Sequence, residues 1–158
     1  MKLLDLVHPK AIVPQLAARE RNGAIRELVE ILAETGGLPA RSAESVIKSI
    51  IARERTRGTT GFGKGMAAPH AKIDGLPAVI ASVGCSAAGI DFSSLDGAPV
   101  HGVFLIISPA ESPEEHLRAM DLIFRNLQQE KFRKFLRQSE TSEAILELLK
   151  DADDKALA

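Results

Sequence analysis

The sequence predicts an α/β domain, a central mixed β-sheet flanked by helices. Three observations predict it. Two stretches with apolar residues at helical spacing come first, three apolar runs bounded by Gly, Pro or Asp fill the middle, and helical spacing returns in the last third. The chain has 158 residues, 45% apolar and 26% charged, which is the size and composition of one ordinary domain with a real core. It is read as a single domain over residues 1–158, with its core over about 3–151.

The elements follow in order. Residues 1–22 read as an irregular start holding one short strand around Ile12–Leu16. Ile25, Leu28, Val29 and Leu32 fall on one helical face, and Gly36-Gly37 stops that helix. Pro39 precedes a second helix whose stripe is Ala43, Val46, Ile47, Ile50 and Ile51, and which runs out through Arg53-Glu54-Arg55-Thr56-Arg57-Gly58. Met66–His70, Ala78–Gly84 and Val100–Ser108 read as strands, with a turn at Leu95-Asp96-Gly97-Ala98-Pro99. The run Val103–Ile107 is continuous rather than alternating, which suggests a central strand covered on both faces. Ser112-Pro113-Glu114-Glu115 reads as a capping box with Pro at the first helical position. The helix it opens carries His116, Met120, Ile123, Phe124 and Leu127 on one face. Further helical pieces lie near Glu130–Gln138 and Ser142–Asp151, followed by a frayed end.

Composition excludes several roles. A formal charge of −1 argues against general nucleic-acid or membrane-surface binding, which needs a strong basic excess. With no Trp, no Tyr and six Phe, base-stacking platforms are hard to build. Cys85 is the only cysteine, so no intramolecular disulfide is possible and a cytoplasmic location is the expectation. The acid in Met1-Lys2-Leu3-Leu4-Asp5 comes too early for a signal peptide, and the longest apolar runs are far short of a membrane span.

One run carries chemistry: Thr60-Gly61-Phe62-Gly63-Lys64-Gly65-Met66-Ala67-Ala68-Pro69-His70-Ala71-Lys72. Glycines at alternate positions let backbone N–H groups approach an anion, so Gly61, Gly63, Lys64 and Gly65 are candidate phosphate-binding residues. An imidazole at the mouth of such a loop can act as a nucleophile towards phosphorus, which makes His70 the candidate acceptor. Gly58, Gly63 and Lys64 fit most of a P-loop, but Gly65 stands where Ser or Thr would bind magnesium. Gly61-x-Gly63 lacks the third glycine of a dinucleotide fingerprint, since Met66 stands there. His116, in the first turn of its helix and on the apolar face, points towards the sheet, where a ring N–H can donate to a phosphate oxygen. Arg53 and Arg55 end the second helix just before the loop, and a guanidinium suits phosphate through its planar fork. His101 opens a strand, His8 has no assigned role, and Cys85 reads as a small core residue. No His-Glu-x-x-His or Cys pair is present, so no metal is expected, and no Gly-x-Ser-x-Gly nucleophile elbow appears; no cofactor is expected.

The run Ala52-Arg53-Glu54 … Thr60–His70 resembles the signature of enzyme IIA of the fructose/mannitol class, a component of the bacterial phosphoenolpyruvate:sugar phosphotransferase system that includes the nitrogen-regulatory enzyme IIA proteins. The resemblance continues through Pro99-Val100, Val103-Phe104-Leu105 and Glu115-His116-Leu117. It implies the enzyme IIA fold and a transient phosphohistidine at His70, received from the small carrier HPr or its nitrogen-branch relative. It also implies an active-site arginine matching Arg53 and a second histidine matching His116. One extra residue stands between Arg53 and the glycine loop, so Arg55 is the alternative, and Ala71 stands where the family often has Gly. Two roles stay open: a regulatory module acting on a target protein through its phosphorylation state, and a sugar-uptake component feeding a separate IIB–IIC permease. The absence of a fused IIB or IIC segment leans towards regulation. A non-catalytic anion-binding module is the third reading.

Overall fold

The computed structural model describes residues 1–35 and 37–157. Its helices are α1 (Leu3–Leu6), α2 (Arg21–Glu34), α3 (Ala43–Thr56), α4 (Pro113–Leu127), α5 (Glu130–Gln138) and α6 (Ser142–Leu157). Its strands are β1 (Val7–Val13), β2 (Gly61–Gly63), β3 (Met66–Ala67), β4 (His70–Ile73), β5 (Ile80–Ile90) and β6 (Val100–Pro109). One six-stranded mixed sheet runs β1-β5-β6-β3-β2, and β4 also pairs with β6. β6 lies antiparallel to β5 and parallel to β3 and β4.

The continuous apolar run of β6 is covered on both faces, as its pattern implies. Phe104 and Ile106 join the core beneath α1, α4, α5 and α6, while Val103, Leu105 and Ile107 join the core beneath α2 and α3. Successive side chains of a strand alternate between faces, so two complete helical layers are needed to keep this run dry. The helical stripes do the covering: Ile25, Leu28, Val29 and Leu32 of α2, and Val46, Ile47 and Ile50 of α3, are all buried.

Met66 pairs with Gly102 and His70 with Ile106, so β3 and β4 keep one register along the same edge of β6. They are one strand line interrupted at Ala68-Pro69. Pro69 has no N–H for the ladder, though its carbonyl still accepts from Ile106 N at 3.0 Å. The strand expected over Met66–His70 is therefore two pieces, and the second runs on to Ile73.

Other expectations are corrected. The first strand is Val7–Val13 rather than Ile12–Leu16, and a turn of helix precedes it. β1 lies at the sheet edge, where the exposed His8, Pro9 and Lys10 are tolerated, and those residues hide it from a hydrophobic pattern. β5 extends to Ile90 through a register shift beyond Cys85, so Cys85 lies within the strand, buried as expected. Ser112 precedes α4 without a side-chain cap. Its carbonyl instead accepts from the amides of Glu115 and His116 at 3.1 and 3.2 Å. The final helix continues to Leu157 rather than fraying after Asp151. Of the glycine pair expected to stop α2, Gly36 lies outside the described residues, and the helix ends at Glu34.

The end of α3 is fixed to the entry of β2 by Glu54, which is only 4% exposed. Its carboxylate accepts from the backbone N–H of Thr60 at 3.1–3.2 Å and from the Thr60 hydroxyl. Replacing Glu54 by Ala leaves two donors without their partner, at a cost of about 1–3 kcal/mol. Glu54→Ala is therefore expected to lower the urea midpoint measurably, and Glu54→Gln, which keeps one acceptor, to lower it less.

Candidate active site

His70 opens β4 and is half-buried. It shares the register of Ile106, so it stands on the sheet face that α4 covers. The Ala68 carbonyl lies at the interruption between β3 and β4, 2.9 Å from His70 Nδ1. A carbonyl oxygen can only accept, so Nδ1 carries the proton and Nε2 keeps its lone pair. The geometry presents Nε2 as the nucleophilic atom.

His116 projects from the first turn of α4 onto the same face, 7% exposed. The two imidazole rings are 5.5 Å apart, centre to centre, and inclined at 48°. His116 Nδ1 lies 2.7 Å from the Ser108 hydroxyl near the end of β6. The sequence thus brings a strand histidine and a helix histidine together, 46 positions apart in the chain.

Electrostatics keep both rings neutral. Burial pushes the His116 pKa down to about 4, with the charges of His70, Lys72 and Arg53 acting in the same direction. Burial also lowers the His70 pKa, and Arg53 and Lys72 lower it further. The Ala68 hydrogen bond and the Glu54 carboxylate oppose that shift. A neutral imidazole is the form that can attack phosphorus.

Arg53 and Arg55 are separated by this geometry. Arg53 is half-buried in the last turn of α3, and its charge is felt by both histidines. Arg55, two residues on and across the helix, is exposed and contributes to neither shift. The arrangement therefore presents Arg53 to the histidine pair.

The glycine run is not an open cradle. β2 and β3 form a hairpin in which Lys64 and Gly65, both at positive φ (59° and 78°), make the two-residue turn that Gly63, at φ 110°, leads into. The Gly65 carbonyl accepts from His101 N at 2.8 Å and Gly102 N at 3.0 Å. The tip therefore lies beside His101, five residues from Ile106 along β6, roughly 16 Å from His70 at ~3.3 Å per residue. Gly63, Lys64 and Gly65 are not brought to His70. The Lys64 N–H is bonded to Asp96 Oδ2 at 2.9 Å, and the Gly61 N–H faces Thr59 Oγ1 at 2.9 Å. Of the four loop residues, Gly61 lies nearest the site, since Thr60 O accepts from Ala68 N. The phosphate cradle expected from Gly61 to Gly65 is corrected at Gly63, Lys64 and Gly65, which close a hairpin instead.

Sequence reasoning missed Glu54, Ser108 and the Ala68 carbonyl. Two of these left a signal. Glu54 follows Val46 and Ile50 at four-residue intervals, which puts a carboxylate on a buried stripe. Ser108 follows Phe104 and Ile106 at two-residue intervals, which puts a hydroxyl on the face that His116 meets. Among the described residues no group of three His, Cys, Asp or Glu side chains could hold a metal, and no helix is long and apolar enough to cross a membrane. His101 is held by the Ser86 carbonyl at 2.8 Å, and His8 is exposed.

Residues 5–152 match the family described as phosphoenolpyruvate-dependent sugar phosphotransferase system, EIIA 2. The chain belongs to this family. Among enzyme IIA relatives, a nitrogen regulatory protein of Bradyrhizobium diazoefficiens is 36% identical over 149 residues, 94% of this chain and 95% of that protein. The fructose-specific EIIABC component of Bacillus subtilis is 32% identical over 153 residues, 97% of this chain but 24% of that longer relative. The solved structure of nitrogen regulatory protein IIA-Ntr from Neisseria meningitidis matches with a TM-score of 0.81 at 23% identity, covering 92% of this chain and 97% of that one. IIA mannitol from Escherichia coli matches at 0.73 with 20% identity, over 89% and 96% of the two chains. The enzyme IIA fold expected from the sequence is the fold observed.

A pH titration followed by NMR checks the electrostatics. His70 is expected to titrate below 6.5 and His116 near 4. Arg53→Ala removes a charge that lowers both values, so both rise, whereas Arg55→Ala leaves them unchanged. Both histidines hold protons less readily folded than unfolded. Their contribution to stability is therefore complete above about pH 6.5 and is lost as pH falls towards 4, which acid-titrated thermal melts will register.

Proposed function

We propose that the chain is a phosphocarrier in which His70 accepts a phosphoryl group from the phosphohistidine of an HPr-type protein. The observation that carries this reading is a neutral, half-buried imidazole with Nδ1 engaged and Nε2 without a hydrogen bond among the described residues, beside a second neutral histidine and within the field of Arg53. The His70 Nε2 lone pair attacks phosphorus in line. The donor's N–P bond breaks, its imidazole leaves neutral with the electron pair, and a new N–P bond forms at Nε2. The His70 ring becomes an imidazolium, its charge facing the Ala68 carbonyl through Nδ1–H. The three phosphoryl oxygens gather negative charge, which the Arg53 guanidinium and an N–H of His116 stabilise. Such transfer needs positioning and charge stabilisation rather than a metal or nucleotide cofactor.

The regulatory role is favoured, with the phosphorylation state altering binding to a target protein in the cytoplasm. Its support is the similarity to a nitrogen regulatory protein, 36% identical over 94% of this chain. The second reading, delivery to a IIB component for sugar uptake, draws support from the 32% identity to that same fructose component. A solved complex of enzyme IIA mannitol with phosphorylated IIB mannitol shares the fold.

Labelling tests the chemistry. With phosphoenolpyruvate, enzyme I and HPr, the wild type is expected to gain acid-labile phosphate and His70→Ala none. Equal labelling of His70→Ala would sink the assignment, and no label on the wild type would leave only the anion-binding reading. Arg53→Ala and His116→Ala are each expected to slow transfer roughly 10²-fold, the scale of losing one charge-stabilising donor. Pull-downs with phosphorylated and unphosphorylated protein then separate a regulated target from a IIB acceptor.

A further inference from the structure

Both histidines of the pair have Nδ1 engaged, but by different kinds of group. His70 Nδ1 faces a carbonyl, which settles its proton at once. His116 Nδ1 faces a hydroxyl, which can donate or accept. The surroundings of that hydroxyl decide between the two. Ser108 is completely buried, on the face of β6 that carries Phe104 and Ile106. Among the described residues, the one hydrogen bond of its Oγ is to His116 Nδ1 at 2.7 Å. If His116 donated from Nδ1, the hydroxyl proton would have no acceptor in a dry interior. If Ser108 donates, both groups are satisfied.

We propose that Ser108 is a positioning residue: its hydroxyl donates to His116 Nδ1 and holds that ring in the tautomer whose N–H is on Nε2, the nitrogen left to serve a phosphoryl group on His70. The proposal rests on the phosphocarrier reading for its consequence, though not for the tautomer itself. Without the hydroxyl, nothing on β6 selects the tautomer. The ring then spends part of its time with a lone pair, rather than a proton, towards the phosphoryl oxygens, which repels them. Ser108 acts only through His116 and does not touch the phosphoryl group.

The first test needs no variant and no partner. Nitrogen-15 NMR of the unphosphorylated wild type at pH 7 is expected to show His116 protonated on Nε2, with Nδ1 accepting a hydrogen bond. Protonation on Nδ1 would overturn the proposal whatever His70 does. The second test is a double-mutant cycle on the rate of transfer from phosphorylated HPr. Ser108→Ala is expected to slow transfer about 10-fold in the wild-type background and to have no further effect in His116→Ala. Ser108→Thr, which keeps the hydroxyl, is expected to recover most of the rate. An equal effect of Ser108→Ala in both backgrounds would show a structural role and contradict the proposal. Failure of the wild type to accept phosphate would contradict the phosphocarrier reading while leaving the nitrogen-15 result to stand or fall separately.

Discussion

A hydrogen bond from the Nδ1–H of His70 to the carbonyl of Ala68 decides which ring nitrogen of that imidazole keeps its lone pair. It forms because the strand line of β3 and β4 is interrupted between them. Pro69 cannot donate to the ladder, and Ala68 lies between the two strand segments. Yet the register on β6 resumes unchanged at His70, so the interruption costs no misalignment of the site. A proline in an otherwise paired strand is usually a defect. Here it sets the tautomer of the residue that follows it.

The second constraint is that both rings stay neutral next to positive charge. Burial beneath α4 would accomplish part of this alone. Arg53 and Lys72 add to it, and Glu54 partly offsets them at His70 while its carboxylate anchors the loop leading to the hairpin. Glu54 therefore links two levels of the structure. It closes the junction between α3 and β2, and it keeps a counter-charge near His70. Arg53 is half-buried beside Glu54 in the last turn of α3 and its charge is felt by both histidines, whereas Arg55 falls on the solvent side.

Much of this was legible in the residues. The stripes of α2 and α3, the two-faced run of β6, α5 to the residue, and the inward turn of His116 all follow from spacing and burial. The histidine pair was legible because each member sat in an unusual context: one after a proline at a glycine-rich run, one on the apolar face of a helix start. What escaped was whatever depends on pairing partners distant in sequence. β1 is an edge strand carrying polar residues that solvent tolerates, so no hydrophobic alternation marks it. The glycine run looked like a phosphate loop because glycine serves both anion cradles and tight hairpins. Only its pairing with β6, which puts the tip beside His101, separates the two. The uncapped Ser112 shows the same limit: the motif was present, but its carbonyl did the work assigned to its hydroxyl.

Under the proposed phosphocarrier role, Nε2 of His70 is the atom that bonds phosphorus. Phosphorus-31 and nitrogen-15 NMR of the phosphorylated, nitrogen-15-labelled protein measures this directly, through the one-bond coupling between phosphorus and the substituted ring nitrogen. The coupling is expected at Nε2 of His70, with Nδ1 still protonated and bonded to Ala68. Phosphorus on Nδ1 of His70, or on His116, would contradict the account.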